Sequence, residues 1–262
     1  MARPAALADA IPDCPRVSVV IPTRNESRNL PHVFRDMPPD VHEVILVDGH
    51  STDGTIETAQ RLWPSVVVIE QEGKGKGNAL ALGFAAVTGD VVIMLDADGS
   101  ADPAEIPRFV AALVAGADVA KGTRFLPGGG STDITAIRQM GNRALTEAVN
   151  LLWGTRYTDL CYGYNAMWAW CARGVDIDCD GFEVETLINI RIAEAGWVVV
   201  EVPSFELERI HGVSNLRAHR AGWRVLRTIR SELRAPEGVR RTTSQATSRA
   251  AAAPLVAAVI DA

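Results

Sequence analysis

The chain has 262 residues, of which 47% are hydrophobic and 22% charged, and its formal net charge is -6. This length suits one large α/β domain or two small ones, and the composition is ordinary for a globular protein. The acidic balance argues against a general nucleic-acid-binding protein, which usually carries a basic surplus. The four cysteines form no C-x-x-C pair and no histidine pair has zinc-finger spacing, so a structural zinc site is not expected.

The two ends of the chain are predicted to lie outside the folded domain. Residues 1–16 lack the continuous apolar core of a secretory signal and are interpreted as a flexible leader. Residues 236–262 are rich in Thr, Ser, Ala and Arg and predict a disordered tail. One domain is therefore expected over residues 17–235. Because the sequence has no apolar run of membrane-spanning length, the protein is expected in the cytoplasm.

The first part of the chain alternates between predicted strands and helices. Apolar, largely β-branched runs predict four buried strands, at residues 17–21, 43–47, 66–69 and 91–95. The segments between them have apolar residues at helical spacing and predict three connecting helices. A glycine-rich loop at residues 73–77 is predicted to lead into the third helix, near Asn78. This alternation predicts an α/β fold with a mostly parallel sheet and right-handed crossovers.

After residue 102 the alternation is less regular. The predicted elements are a helix from Asp102, a strand at 118–121, a long helix at 134–153, a strand at 164–170, a helix at 183–195, an extended segment at 197–202 and a last helix at 216–234. The last helix has apolar residues at helical spacing with arginines interleaved. Two interpretations stay open: it lies on an anionic membrane, or it packs its apolar side on the domain and leaves the arginines in water.

Three polar clusters directly follow predicted strands, at residues 22–26, 48–53 and 96–100. Ligands of parallel sheets bind beyond the carboxyl ends of the strands. These segments, which are far apart in the sequence, are therefore expected to meet at one rim and to form a ligand site there.

Asp96 and Asp98 follow the fourth predicted strand, which contains no charged residue. Two carboxylates at the end of a buried strand repel one another unless a positive charge lies between them. Mg²⁺ or Mn²⁺ supplies that charge, because these hard cations prefer oxygen ligands and can share a phosphate. Two alternatives stay open: a turn in which Asp98-Gly99 provides the bend, and a haloacid-dehalogenase-type phosphatase in which Asp96 attacks a phosphate.

Taken together, the motifs at the strand ends resemble those of the GT-A glycosyltransferases of family 2, and most closely the polyprenyl (dolichol)-phosphate mannosyl- and glucosyltransferases. The matching segments are residues 19–26, 47–55, 75–80, 95–98, 122–124, 181–185 and 209–214. The resemblance implies a single GT-A domain with a Rossmann-like sheet flanked by helices. It also implies an inverting hexosyltransferase that moves a sugar from a UDP- or GDP-linked donor to an acceptor, with a polyprenyl phosphate as the leading acceptor.

The resemblance implies roles for individual residues on the donor side. The predicted nucleotide-sugar-binding residues are Pro22, Thr23, Asn25, Glu26, Asp48, Ser51, Lys76, Asp96, Ala97 and Asp98. Asp96 and Asp98 would hold Mg²⁺ or Mn²⁺ on the diphosphate. This sequence departs from the family at Gly49, where a second aspartate is common, and at Ser100, where some relatives have a glutamine ligand. The first departure leaves the nucleobase open, and the second leaves a metal position to water.

The resemblance also implies roles on the acceptor side. The predicted acceptor-binding residues are Arg124, Arg138, Arg209, His211 and Ser214, and the predicted catalytic residues are Asp98, Glu183, Glu185, Arg124 and Arg209. A planar guanidinium matches phosphate oxygens with two parallel hydrogen bonds. A lipid phosphate needs no general base, whereas a hydroxyl or amine acceptor needs Glu183 or Glu185 to take its proton. The alternatives are a solvated helix face for Arg138 and a partner of the helix dipole for Glu185.

Other functions remain compatible with the same residues. The acceptor could be a soluble metabolite or a carrier-bound intermediate, in which case no membrane contact is needed. A lipid acceptor predicts peripheral contact with the inner face of the membrane. The phosphatase and a nucleotide-sugar-binding module without turnover are the remaining hypotheses, the latter because of Ser100. The sequence sets no expectation for the oligomeric state.

Overall fold

A computed structural model of the chain describes residue 12, residues 14–212 and residues 218–234, with the side chains of the last segment from residue 221 onward. The predicted tail, most of the predicted leader and Ser214 lie outside the described residues. Within them, helices cover a mostly parallel sheet in one domain, as the sequence predicts. No helix of the described part is long and apolar enough to cross a membrane.

The main sheet has seven strands in the order β3-β2-β1-β4-β7-β5-β8. They are β1 (Val17–Thr23), β2 (Glu43–Asp48), β3 (Val67–Glu70), β4 (Val91–Met94), β5 (Val119–Thr123), β7 (Asn165–Trp168) and β8 (Val199–Pro203). A second, two-stranded parallel sheet pairs β6 (Gly130–Ser131) with β9 (Phe205–Glu206). Strand β1 lies between β2 and β4, so the carboxyl ends of these three parallel strands are side by side.

Strand β7 is the exception to the parallel arrangement, because it runs antiparallel to both of its neighbours, β4 and β5. It is also shorter than predicted, since the chain turns into a helix at Ala169. All of its residues are buried, which agrees with the mostly apolar sequence that predicts a strand here. Such a pattern does not indicate in which direction the strand runs.

The helices that follow the strands carry the labels α1 to α8. They are α1 (Leu30–Arg35), α2 (Thr55–Leu62), α3 (Gly75–Ala86), α4 (Ile106–Val114), α5 (Ala136–Trp153), α6 (Ala169–Gly174), α7 (Val184–Ala195) and α8 (Ala218–Arg234). A 3₁₀ turn (Pro103–Glu105) precedes α4, and the Asp102 side chain caps it. Helix α3 packs on β1 and β2, whereas α4 packs on β5, β7 and β8. Helices α5, α7 and α8 enclose a second, smaller apolar core.

The prediction of a glycine-rich loop at residues 73–77 is wrong, because α3 already begins at Gly75. These glycines serve close packing. A Cβ atom on Gly75 would collide with the carbonyl oxygen of Asp180, and one on Gly77 with that of Cys179. The Gly77 N–H also donates to the Asp180 carbonyl at 3.0 Å. The segment before α7 therefore lies directly on the first turn of α3, on either side of Lys76.

Candidate active site

The loops after β1 and β2 interlock at the carboxyl edge of the sheet. The Thr23 hydroxyl is 3.3 Å from Asp48 Oδ1, and the Ser51 N–H donates to Asp48 Oδ2 at 2.8 Å. The Asn25 N–H donates to Ser51 Oγ, and the Thr52 N–H returns a bond to Asn25 Oδ1, both at 2.8 Å. Hydrogen bonds between the two loops thus hold four predicted nucleotide-binding residues in place, namely Thr23, Asn25, Asp48 and Ser51. A fifth, half-buried Pro22, lies beside them near the end of β1.

Buried Gln71 occupies the space beside Gly49, where the family often has a second aspartate. A Cβ atom on Gly49 would be 2.8 Å from Gln71 Oε1, so a larger residue there requires this amide to move. The Gln71 amide donates to the Gly75 carbonyl and to Asn78 Oδ1. Gln71 directly follows β3, so it lies beyond the carboxyl end of a strand, as the three polar clusters do. It was not among the site residues predicted from the sequence.

Lys76 joins Asp96 to Glu185. Its Nζ is 2.6 Å from Asp96 Oδ1 and 2.7 Å from Glu185 Oε1. Burial lowers the pKa of Lys76, but the two carboxylates outweigh it and the net shift is upward, so this ammonium is charged. Burial raises the pKa of Glu185, with Lys76 opposing that shift. Gly163 closes the cluster, because a Cβ atom there would approach Lys76 Nζ to 2.8 Å.

Arg209 joins Asp98 to Glu26. Its Nη1 is 2.9 Å and 3.0 Å from the two carboxylate oxygens of Glu26, and its Nη2 is 3.2 Å from Asp98 Oδ2. The other oxygen of Asp98 accepts from the N–H and the hydroxyl of Ser100, which supports the predicted turn. A turn and a binding site are therefore compatible at Asp98. Buried Ala97 lies between the two aspartates and packs into the main core.

Residues 207–212 cross the carboxyl edge of the sheet, and we call this segment the strap. Its backbone is bound to the aspartate loop, since Leu207 N–H donates to the Ser100 carbonyl and Ile210 N–H to that of Asp98. Asn29 binds both the N–H and the carbonyl of His211, at 2.9 Å and 3.1 Å. No sequence motif pointed to Asn29. The strap therefore fixes the backbone of Arg209 over the site.

The other predicted arginines have different surroundings. Arg124 is buried, and its Nε and Nη2 donate to Asp159 while its Nη1 donates to Glu206. Every nitrogen of this guanidinium thus already has a carboxylate partner within the protein. Arg138 is half-buried and its Nη1 is 2.7 Å from Asp133 Oδ2, an ion pair at the start of α5. The structure does not bring either guanidinium into contact with the Asp96 and Asp98 carboxylates.

Glu183 immediately precedes α7, and Glu185 lies in its first turn. Glu183 is buried, accepts from the Gly181 N–H at 3.3 Å, and is 3.7 Å from Arg224 Nη1 on α8. Glu185 is tied to Lys76 instead of facing solvent. Glu185 is therefore held by a cation, whereas Glu183 has only a long contact to an exposed arginine, and its Oε2 has no hydrogen-bond partner among the described residues. The alternative role of Glu185 at the helix N-terminus is also compatible with its position.

The donor set at the strand end suits a hard divalent cation. Asp96 and Asp98 offer carboxylate oxygens on side chains that are 39% and 20% exposed, so a ligand can reach them. The described residues contain no group of three or more acidic, histidine or cysteine side chains that could hold a metal by themselves. A cation here would complete its shell with phosphate oxygens and water, which is how Mg²⁺ usually binds.

Comparison with known proteins identifies the family. Residues 18–170 match the family model described as Glycosyl transferase family 2. The chain is 35% identical over 214 residues to an undecaprenyl-phosphate mannosyltransferase of Micrococcus luteus, covering 77% of this chain and 87% of that protein. It is 34% identical over 215 residues to a polyprenol monophosphomannose synthase of Mycolicibacterium smegmatis, covering 77% and 81% of the two chains.

A solved structure shares the fold. The glucosyl-3-phosphoglycerate synthase of Mycobacterium tuberculosis, in complex with Mn²⁺, UDP-glucose and phosphoglyceric acid, has a TM-score of 0.69 at 23% identity. The superposition covers 85% of this chain and 81% of that one. The predicted GT-A architecture is confirmed by this likeness. The match to the family model and the identity to its members show that this chain is an enzyme of the family 2 glycosyltransferases.

Proposed function

We propose that this glycosyltransferase moves a sugar from a nucleoside-diphosphate donor to a polyprenyl phosphate at the surface of a membrane, with inversion at the anomeric carbon. The relatives with 34% and 35% identity are named for such acceptors, and family membership replaces the phosphatase hypothesis. The observation that carries the choice of a lipid acceptor is the orientation of α5, which turns apolar side chains outward.

Helix α5 exposes large apolar side chains on its outer side, while its inner side buries two polar residues together with Val149. Asn142 and Thr146 are buried on its inner side, where Asn142 donates to Asp159 and Thr146 accepts from the Leu160 N–H. Its outer side has large apolar residues that are 80%, 71% and 86% exposed, at Ile137, Met140 and Leu151. With exposed Ala144 these residues recur at helical spacing, and we call them the α5 stripe. Contiguous exposed apolar surface of this kind marks a binding face.

Helix α8, which contacts α5, adds an aromatic residue and positive charge beside that stripe. Val225 and Ile229 are buried in the smaller core, whereas Trp223 is 73% and Leu226 is 46% exposed. Its exposed cations among the described side chains are Arg224, Arg227, Arg230 and Arg234. The two interpretations of this helix are therefore compatible: it packs its apolar side on the domain, and its exposed side can face a membrane. Apolar side chains with an interfacial tryptophan and arginines suit an anionic bilayer.

The chemistry of a phosphate acceptor fits the candidate site. A polyprenyl phosphate is already anionic and needs no general base, which agrees with Glu185 being held by Lys76. Arg209 would neutralise the acceptor or the departing diphosphate, and Asp48 with Thr23 would hold the nucleoside. A divalent cation on Asp96 and Asp98 would stabilise the leaving diphosphate.

The test of acceptor class is vesicle binding by a variant in which Ile137 and Leu151 are both serine. Removing two large apolar side chains from a membrane interface, at about 1.5 kcal/mol or more for each, should weaken binding to phosphatidylglycerol vesicles at least about a hundredfold. Flotation measures it, and the KM for polyprenyl phosphate in vesicles should rise in parallel. Folding should be unaffected, because both side chains are exposed.

The matched control is Leu62→Ser, which removes a 37% exposed leucine from α2, away from α5 and α8. It should float as the parent does. If the parent protein does not float and glycosylates a soluble phosphate ester instead, the lipid acceptor is wrong and the soluble-acceptor alternative is right.

The donor is tested separately with UDP-, GDP- and TDP-sugars, each with and without Mn²⁺. A ligand of the native state raises its melting temperature, so the true donor should produce a metal-dependent increase. A panel with no shift for any donor would contradict the nucleotide-sugar site. Binding without product formation on any acceptor would indicate a binding module without turnover.

A further inference from the structure

Arg209 and Arg124 are both buried to a large extent, but their donor groups are used differently. On Arg124 the edge formed by Nε and Nη2 grips both oxygens of Asp159, at 2.7 Å and 3.0 Å. On Arg209 the same edge has a single contact, from Nη2 to Asp98 at 3.2 Å. Its Nε is buried and has no hydrogen-bond partner among the described residues. Arg209 therefore has a donor edge that is only half satisfied.

The opposite end of the Arg209 guanidinium is firmly held. Its Nη1 contacts both oxygens of Glu26, and Glu26 is itself bound by the amide of Asn29. The same amide fixes the backbone of His211 in the strap. Because the backbone and the Nη1 end are anchored, a change at Asp98 would alter the partner of the Nε and Nη2 edge without displacing the strap.

The half-satisfied edge lies on a carboxylate that also suits a metal. Asp98 Oδ1 is taken by Ser100, which leaves Oδ2 for an external ligand, and Oδ2 is the atom that Arg209 contacts. A divalent cation on Asp98 would compete with Arg209 for this oxygen and repel its positive charge. The Nε and Nη2 edge would then present two parallel donors, the geometry that binds a phosphate group bidentately.

We propose that Arg209 couples metal binding to phosphate binding: it is the counter-ion of Asp98 until a divalent cation takes Oδ2, and its Nε and Nη2 edge then binds a phosphate. The inference rests on the proposed function of this site. It assigns to Arg209 the order of binding, in which the metal binds first and the phosphate second. Lys76 presents a single ammonium to both Asp96 and Glu185 and has no two-donor edge to release, so the same exchange is not expected of Lys76.

The test is a set of Mn²⁺ titrations of the full chain, followed by electron paramagnetic resonance, for the parent, Arg209→Gln and Arg209→Lys. The parent should bind Mn²⁺ at least fivefold more tightly in the presence of a phosphate probe, after correction for Mn²⁺ complexed by the probe alone. Arg209→Gln should bind Mn²⁺ more tightly than the parent without the probe and should lose most of the enhancement with it, keeping only the part due to direct contact between phosphate and metal. Arg209→Lys keeps the charge but lacks the two-donor edge, so its Mn²⁺ affinity should stay near the parent value while the enhancement falls.

Two probes identify which phosphate binds: butyl phosphate represents the acceptor head group, and UDP and GDP represent the leaving group. Loss of enhancement for one probe alone assigns Arg209 to that phosphate. The matched control is Arg35→Gln, which breaks an exposed ion pair with Asp36 and should behave as the parent. The inference is overturned if Arg209→Gln keeps the full enhancement, or if it binds Mn²⁺ no more tightly than the parent. These readouts need no turnover, so a failed donor panel with intact coupling would reject the proposed function and not this inference.

Discussion

Arg124 and Arg209 show how two residues that the sequence treats alike acquire different tasks. Arg124 comes shortly after a predicted strand, and Arg209 lies in a predicted loop. The family resemblance links both residues to phosphate. In the structure Arg124 is enclosed by Asp159 and Glu206, with the Tyr162 ring 5.0 Å away, so it supports the fold. The sequence could not distinguish them, because the carboxylates that satisfy Arg124 lie 35 and 82 residues further along the chain.

At the residue scale we predict that Arg124→Met destabilises the protein by about 3–5 kcal/mol, because it leaves buried carboxylates without their cation. Burial raises the pKa of Asp159, but Arg124 outweighs it and holds that pKa below its usual value. The loss should therefore be present in full above about pH 4 and shrink as the pH falls below that value toward the lower folded-state pKa of Asp159, because the unfolded carboxyl takes its proton first. Urea unfolding at several pH values measures it.

The comparison for that prediction is Arg209→Gln, whose ion pairs are closer to solvent, with side chains about one-fifth exposed at Asp98 and Arg209. The free energy of unfolding should fall by less in Arg209→Gln than in Arg124→Met. Relative to this loss of stability, transferase activity should fall by more in Arg209→Gln. Equal stability losses for the two variants would show that Arg124 is not the structural arginine of the pair.

At the scale of elements, the glycines of α3 contact residues 179–180, the segment before α7, and this contact encloses Lys76 between Asp96 and Glu185. The sequence predicts both helices and their approximate bounds. It does not predict the contact, because Gly77 faces the backbone carbonyl oxygen of Cys179, which lies about a hundred residues further along the chain. Helix α5 offers a similar lesson, since its periodicity predicts a helix but does not reveal that Asn142 and Thr146 lie on the buried side with Val149.

We predict that Gly77→Ala destabilises the protein by roughly 2 kcal/mol or more, because the added methyl group collides with a backbone oxygen that cannot rotate away. Gly141→Ala is the matched control, since a Cβ atom there meets nothing within 4 Å and the site is an exposed helix position. It should be neutral or stabilise by up to about 1 kcal/mol. Thermal unfolding compares the two, and equal effects would refute the close contact.

At the scale of the whole molecule, the carboxyl edge of the sheet gathers segments from both halves of the chain. The loops after β1, β2 and β4 meet there, as the alternating pattern and the strand-end rule predict. The strap closes over them from beyond β9, and no regular pattern announces it. Its place depends on single side chains, Asn29 and Arg209, whose partners only the folded chain reveals.

We predict that the correct nucleoside diphosphate with Mn²⁺ slows backbone hydrogen exchange together in residues 23–29, 49–55, 97–100 and 207–212. The reason is that ligand binding raises the free energy of opening for segments that contact it or each other. Mass spectrometry of peptides measures this, with residues 38–42 and 88–90 at the opposite edge of the sheet as the internal reference. Protection of the first three segments without 207–212 would show that the strap is not part of the ligand site.

The antiparallel direction of β7 has a consequence for how such enzymes diversify. The chain leaves the sheet at the end of β5 and returns beside it in β7, where the Gly122 N–H donates to the Tyr164 carbonyl at 3.0 Å. The excursion between them includes α5 and carries its own buried pair, Arg124 with Asp159. Its buried side chains also reach elements outside it, since Arg124 binds Glu206 on β9 and Asn189 on α7 donates to the Leu160 carbonyl. An exchange of this excursion between relatives would therefore have to keep those contacts, whereas the loops after β1, β2 and β4 lie outside it and need not change.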